Sequence, residues 1–250
     1  MLTVAACGGL IWLTNQPSVR VSTIRVSNGT EAFAEFARTA MQGKYLGLIP
    51  RDSIFFVPEH AIRVRILDTH PEIAAVSISR DGMTGILITP NVRVPVARWC
   101  GLKKTIESVP EYCYFFDSSG FIYAAVDAAS STQPLNSFAL YTSLEGATEE
   151  PLRATLKNTS ALPQVFDFAR QLLTLGSPVA SITIHDDEVD CVLASGTRIT
   201  YVRGREEKSF AALVSAKQNL NLTDGSLEYV DVRFDGKVYL KRKEKEAVQL

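Results

Sequence analysis

Histidine is scarce in this chain: His60, His70 and His185 are the three in 250 residues, and they stand far apart. Metal centres and general acid–base sites draw on imidazole first, so little is available for either chemistry. The four cysteines, Cys7, Cys100, Cys113 and Cys191, form no CxxC pair, which removes zinc-ribbon and thioredoxin-like motifs. Charge of one sign is also lacking. Lys and Arg number 26 against 27 Asp and Glu, a net charge of −1, so no global basic field exists to hold a phosphate backbone. There is no Gly-rich phosphate loop, nucleophile elbow or HExxH. No apolar run reaches the roughly 20 residues that a membrane-spanning helix needs.

One shorter run is informative. Residues 2 to 14 read LTVAACGGLIWLT without a single charge. The simplest reading is a transmembrane signal anchor over 1–17 whose upstream part is missing, with Trp12 at the membrane interface. Three other readings stand beside it. A cleaved signal peptide wants a basic start, which is absent. Acylation at Cys7 wants the apolar stretch before the cysteine, and much of it follows. A buried core helix is weakened by the adjacent Gly8 and Gly9.

Beyond Pro17 the composition is that of a globular protein, 46% hydrophobic and 21% charged, and long enough to bury a core. Val19 to Val26 alternates as a strand with one slip. Asn28-Gly29 signals a turn, Thr30 suits a helix N-cap, and Phe33, Phe36, Ala37 and Ala40 recur at helical spacing over 31–42. After a short apolar run at 53–57, Pro58 opens a second helix over 58–68. That helix offers Ile62, Val64, Ile66 and Leu67 for burial and ends before Pro71. Strands follow at 73–79 and 85–89. This β-α-(short β)-α-β-β order predicts two helices on one face of a three-stranded sheet, folding as a unit over 18–96. Residues 93–99, RVPVARW, read as an edge strand or connector because of Pro95.

The rest favours β structure at 112–116, 121–125, 138–141, 180–185, 188–193, 198–202 and 229–240, with helices at 163–175 and 207–220. Asp117-Ser118-Ser119-Gly120, Ser195-Gly196 and Asp235-Gly236 are turn signals. His185-Asp186-Asp187-Glu188 is the one cluster that hints at a metal. Adjacent residues in one short turn cannot converge on one ion, so it reads as a solvated hairpin loop. Outside the cytoplasm Cys100 and Cys113 could close a loop of about 14 residues, worth on the order of 3 kcal/mol. The expectation is nevertheless two free, buried thiols. The charged stretch at 241–246, KRKEKE, reads as the start of a solvated tail, assigned to 242–250.

Several local patterns, in this order, resemble one family. They are Ile24-Arg25-Val26-Ser27-Asn28-Gly29; Pro71 with Ala75, Val76, Ile78 and Arg80; Ile86-Leu87-Ile88; and Val94-Pro95-Val96-Ala97-Arg98-Trp99. Asp117 to Tyr123 and then Tyr229-Val230-Asp231-Val232-Arg233-Phe234, with Lys237 to Lys241, continue the series. Together they resemble the FtsQ/DivIB family of bacterial cell-division proteins over roughly residues 1–241. Three details depart from its pattern: Asp81-Gly82 replaces a proline-containing turn, Val232 replaces a leucine, and no glutamate precedes the Val-Pro-Val-Ala element.

The resemblance implies an α+β protein with an N-terminal membrane anchor, a POTRA domain at 18–96 and a β domain with helices at 97–241. It implies a non-enzymatic scaffold of the divisome, single-pass in the cytoplasmic membrane with its bulk outside the cytoplasm. No catalytic residue, metal or cofactor is expected. The implied partners are small bitopic proteins of the FtsB and FtsL type, bound along the last strand, with other divisome proteins at the POTRA domain, the membrane at the anchor and no nucleic acid. By match to the motif, Phe234, Gly236, Val238, Tyr239 and Leu240 fall at the contact positions, and proline at Val238 is expected to abolish binding. Two other classes remain: a POTRA-bearing chaperone or transport protein for outer-membrane or secreted chains, and an extracytoplasmic wall enzyme.

Overall fold

The computed structural model describes residues 8–9, 11–102, 112–126, 133–146 and 150–243. Part of the expected anchor (1–7 and 10) and the tail after 243 lie outside them. Residues 8–9 and 11–14 are helical, and among the described residues no helix is long and apolar enough to cross a membrane. The chain divides into two compact units, 1–93 and 94–250.

In the first unit, strand β1 (Thr23–Val26) leads to helix α1 (Glu31–Ala40). Phe33 and Ala37 sit one helical turn apart on its buried face, and Met41 extends that line just past its end. Thr30 occupies the N-cap position with extended backbone, but its side chain makes no capping bond. A small hairpin, β2 (Lys44–Tyr45) and β3 (Ile49–Pro50), precedes helix α2 (Glu59–Thr69). That helix buries Ile62 and Ile66, whereas Val64 faces outward, 41% exposed. Four residues bring a helix back to the same face and two do not.

Strands β4 (Ile73–Arg80) and β5 (Gly85–Val92) pair antiparallel, and β1 joins β5 in parallel, giving the order β1-β5-β4. Ile73 and Val76 both reach the core although three apart, because the register shifts between Ile73 and Ala75. Pro90 is tolerated in the central strand for a geometric reason. The Ser27 N–H donates to the Ile88 carbonyl, so Ile88 and, two residues on, Pro90 face the β1 side, and β1 ends opposite Ile88. No ladder bond is lost there.

In the second unit nine strands form one sheet, in the order β14-β13-β12-β11-β10-β9-β6-β7-β8. Their ranges are β6 (Ala97–Trp99), β7 (Tyr114–Phe116), β8 (Ile122–Ala125), β9 (Ala139–Tyr141), β10 (Val179–His185), β11 (Glu188–Leu193), β12 (Arg198–Val202), β13 (Leu227–Asp231) and β14 (Tyr239–Arg242). Helix α3 (Leu162–Leu172) buries Leu162, Val165, Phe166, Phe168, Ala169 and Leu172 in the core. Helix α4 (Glu206–Ser215) adds Leu213, shorter than expected because a 3-10 turn takes over at Lys217–Asn219. The Phe168 ring lies 4.2 Å from that of Tyr201 on β12, and Phe138 lies 5.1 Å from Phe166.

Three expectations change. The segment with Pro95 divides: residues 93–96 are a connector, one of its two expected readings, while 97–99 are no edge but β6, which runs between β9 and β7, and the Val96 N–H donates to the Phe116 carbonyl. Residues 94–96 therefore belong to the second unit. Cys100 and Cys113 are not free thiols but a disulfide, with Cα atoms 4.3 Å apart. The Trp99–Tyr114 pairing of β6 with β7 sets the next two residues opposite one another. The 229–240 segment is not one strand but two, β13 and β14, folded back on each other.

Candidate partner-binding edge

β14 closes one end of the large sheet, pairing with β13 through Asp231–Tyr239, Val230–Leu240, Tyr229–Lys241 and Leu227–Arg242. Which of its main-chain groups face outward follows from the neighbouring strand. The Val232 N–H donates 2.9 Å to the Thr200 carbonyl of β12. Val230 and Val232 therefore direct their amide groups toward β12, and Tyr229 and Asp231 direct theirs toward β14. Their opposite numbers, Lys241 and Tyr239, are engaged in the ladder. Leu240 and Arg242 turn their N–H and C=O groups to the outer side, where no strand pairs among the described residues. All four residues of β14 are exposed.

The connection at 232–238 builds a platform beside this edge. The Lys237 N–H donates to the Phe234 carbonyl at 3.1 Å, and Gly236 takes the left-handed conformation (φ 68°) that the turn requires. Phe234 and Tyr239, each about half exposed, meet edge to face at 5.4 Å. The Arg233 guanidinium lies 5.8 Å from the Phe234 ring. Val238 is only half-buried and packs against the core.

Arg233 ties the loop to the sheet. Its Nε and Nη2 reach the Asp231 carboxylate, at 3.0 Å to Oδ1 and 2.6 Å to Oδ2, and its Nη1 reaches Glu188 Oε1 at 2.6 Å. The Arg233 backbone N–H also donates to Asp231 Oδ1 at 3.0 Å. The Arg233 side chain, as hydrogen-bond donor, holds the Asp231 carboxyl below its usual range, against the opposing effect of burial. The same bonds, to Asp231 first and then Glu188, raise the pKa of Arg233. The aspartate–arginine spacing thus acts as a clamp at the exit of β13.

Of the residues expected at the contact, Phe234, Gly236, Tyr239 and Leu240 lie on or beside the outer edge. Val238 does not continue it, because it precedes β14. Tyr239 offers a side chain but no free main-chain group. Arg242, not among the expected residues, also turns its main-chain groups outward, and the signal that points to it is the Asp235-Gly236 turn, which divides the segment into two strands. The His185 to Glu188 cluster is the tight turn between β10 and β11, with Asp186 left-handed and Glu188 committed to Arg233. Among the described residues no group of three or more His, Cys, Asp or Glu is placed to hold a metal. Comparison with protein-family models and with curated proteins finds no match to this chain.

Proposed function

We propose that this chain is a non-enzymatic, membrane-held scaffold of the bacterial division machinery, of the FtsQ/DivIB type. Its bulk lies outside the cytoplasm, in a POTRA domain and a β domain. It recruits small bitopic partners of the FtsB or FtsL type by strand addition to β14. The observation that carries this reading is the open edge of the nine-stranded sheet, with Leu240 and Arg242 presenting main-chain groups and Phe234 with Tyr239 beside them. An extended segment that pairs there gains main-chain hydrogen bonds, and the aromatic pair supplies a side-chain contact. The order of elements in the first unit and the aspartate–arginine clamp support the same family.

The test is calorimetric titration of the chain with an extended FtsB-like peptide. Leu240→Pro removes one outward N–H without touching the β13 ladder, so at least a tenfold loss of affinity is expected. Phe234→Ala is expected to weaken binding several-fold. Affinity unchanged in both variants sinks the assignment. Recovery of small coiled-coil bitopic proteins from membrane extract on the wild-type chain is the expected companion result.

A further inference from the structure

The hairpin β2–β3 carries an unusual tip. Leu48 donates its N–H to the Tyr45 carbonyl at 3.0 Å, and the two residues between, Leu46 and Gly47, are both left-handed (φ 48° and 73°). Two successive left-handed residues make the turn that suits asparagine and glycine. Leucine there suffers steric strain of its Cβ against the backbone. Its side chain recovers nothing within the protein, since Leu46 is 96% exposed, and Leu48 is 54% exposed beside it. A strained backbone and an apolar side chain in water are two costs at one residue, and such positions are retained where an outside contact uses them.

The surroundings say what that contact is. Asn15 donates from Nδ2 to the Leu48 carbonyl (3.3 Å) and to the Ile11 carbonyl (2.8 Å), so the hairpin is tied to the end of the N-terminal apolar run. That end exposes Trp12 (67%) and Leu13 (45%). Lys44 and Arg51 flank the hairpin, Arg51 lying 5.1 Å from the Tyr45 ring, no acidic residue lies between Glu35 and Asp52, and Asp52 is paired with Arg20. An apolar tip, an aromatic ring and cationic flanks, continuous with an uncharged apolar segment, match the layers of a bilayer interface bearing anionic headgroups.

We infer that the β2–β3 hairpin dips its tip, Leu46 with Leu48, into the outer surface of the membrane, and so fixes the first unit against the bilayer. The inference rests on the membrane-held reading above. Lys44 and Arg51 stay at headgroup level, and the leucines enter the acyl boundary.

Tryptophan fluorescence in vesicles of phosphatidylcholine and phosphatidylglycerol, with lipids brominated near the headgroup end of the chain, tests it on the full chain. Trp12→Phe leaves Trp99, buried in the second unit, as background. Adding Leu46→Trp to that chain is expected to add blue-shifted emission quenched at least twofold by the bromines. Added emission that is water-like and unquenched overturns the inference. If wild-type Trp12 is quenched at the same time, the membrane-held reading stands and only the hairpin contact fails; if Trp12 is unquenched too, both fail. A second variant separates lipid contact from a structural role. Leu46→Asn, which suits the turn, is expected to leave the melting temperature in lipid-free detergent-free buffer unchanged or higher. A fall in melting temperature assigns the leucine to the fold and overturns the inference.

Discussion

The large sheet ends in two strands of four residues each, and the protein treats them differently. At the β8 end the chain returns to cover the start of the edge. The Ile122 N–H donates to the Ala154 carbonyl (2.9 Å), Arg153 donates back to the Ile122 carbonyl (2.8 Å), and Leu156 donates to the Gly120 carbonyl (3.0 Å). At the β14 end no such cover exists among the described residues; Leu240 and Arg242 turn their main-chain groups outward, and the Phe234–Tyr239 pair lies beside them. An unprotected edge is an aggregation hazard, and under the proposed function the open β14 edge is the one that takes a partner strand. Lys241, Arg242 and Lys243 at the open edge discourage pairing with another copy of the same basic strand.

Proline at equivalent outward-facing positions gives the sharpest break in that comparison. Ile122→Pro deletes a bonded N–H and a fully buried side chain, and is expected to cost more than about 3 kcal/mol in urea unfolding. Leu240→Pro deletes an outward N–H on an exposed strand, and is expected to stay within about 1 kcal/mol of wild type. Equal costs at both ends mean that β14 is covered in solution. Next in size is the Cys100–Cys113 disulfide, which staples β6 to β7 near the covered end. Cys100→Ser with Cys113→Ser is expected to lose about 3 kcal/mol by denaturant titration while leaving peptide affinity at β14 unchanged.

Much of this architecture is legible in residues that alternate or recur cleanly. Val189, Cys191 and Leu193 mark β11, and the α3 stripe from Val165 to Leu172 marks its helix. The open edge itself was harder to read. Val230, Val232, Val238 and Leu240 keep a period of two across the whole 229–240 segment, so alternation reads as one strand although Asp235-Gly236 folds it in half. Sheet order was not legible either. β9 lies parallel to β10 and β12 parallel to β13, pairings made by crossovers that carry α3 and α4. Local periodicity carries no information on where such a crossover returns. The disulfide escaped for the same reason: Cys100 faces Cys113 only once β6 and β7 are neighbours.

Two glycines compare the turns that deliver the edge strands. Gly120, before β8, is left-handed (φ 80°), and an added Cβ would lie 2.3 Å from Thr159 Cγ2. Gly236, before β14, is left-handed (φ 68°) with open space around it. Gly120→Ala is therefore expected to cost about 2 kcal/mol, from backbone strain and displacement of Thr159, and Gly236→Ala about 1 kcal/mol from strain alone. Thermal unfolding of the two variants measures the difference. A larger loss at Gly236 means the β13–β14 loop is packed more tightly than its surface suggests.

The smallest effect tests whether the open edge is held in place by the Asp231–Arg233 clamp. Asp231 is buried and Arg233 is a third exposed, so solvent screens the pair on one side only. Its folded-state pKa lies below that of an unfolded aspartate, with the Arg233 hydrogen bonds as the first cause. A depressed carboxylate contributes stability that is fully present above the unfolded value, near 3.9, and is lost as pH falls through the folded value. Arg233→Met keeps the apolar stem and removes the donors. It is expected to raise the Asp231 pKa and to cost about 1 kcal/mol at neutral pH, with the gap from wild type closing below about pH 4. Carboxyl chemical shifts through an acid titration read the first change, and denaturant melts at pH 7 and pH 3 read the second. Peptide affinity at β14 should fall with the clamp, because Arg233 also fixes the start of the loop that carries Phe234. A variant that loses the Asp231 shift yet binds as wild type shows that β14 is ordered by its ladder with β13 alone.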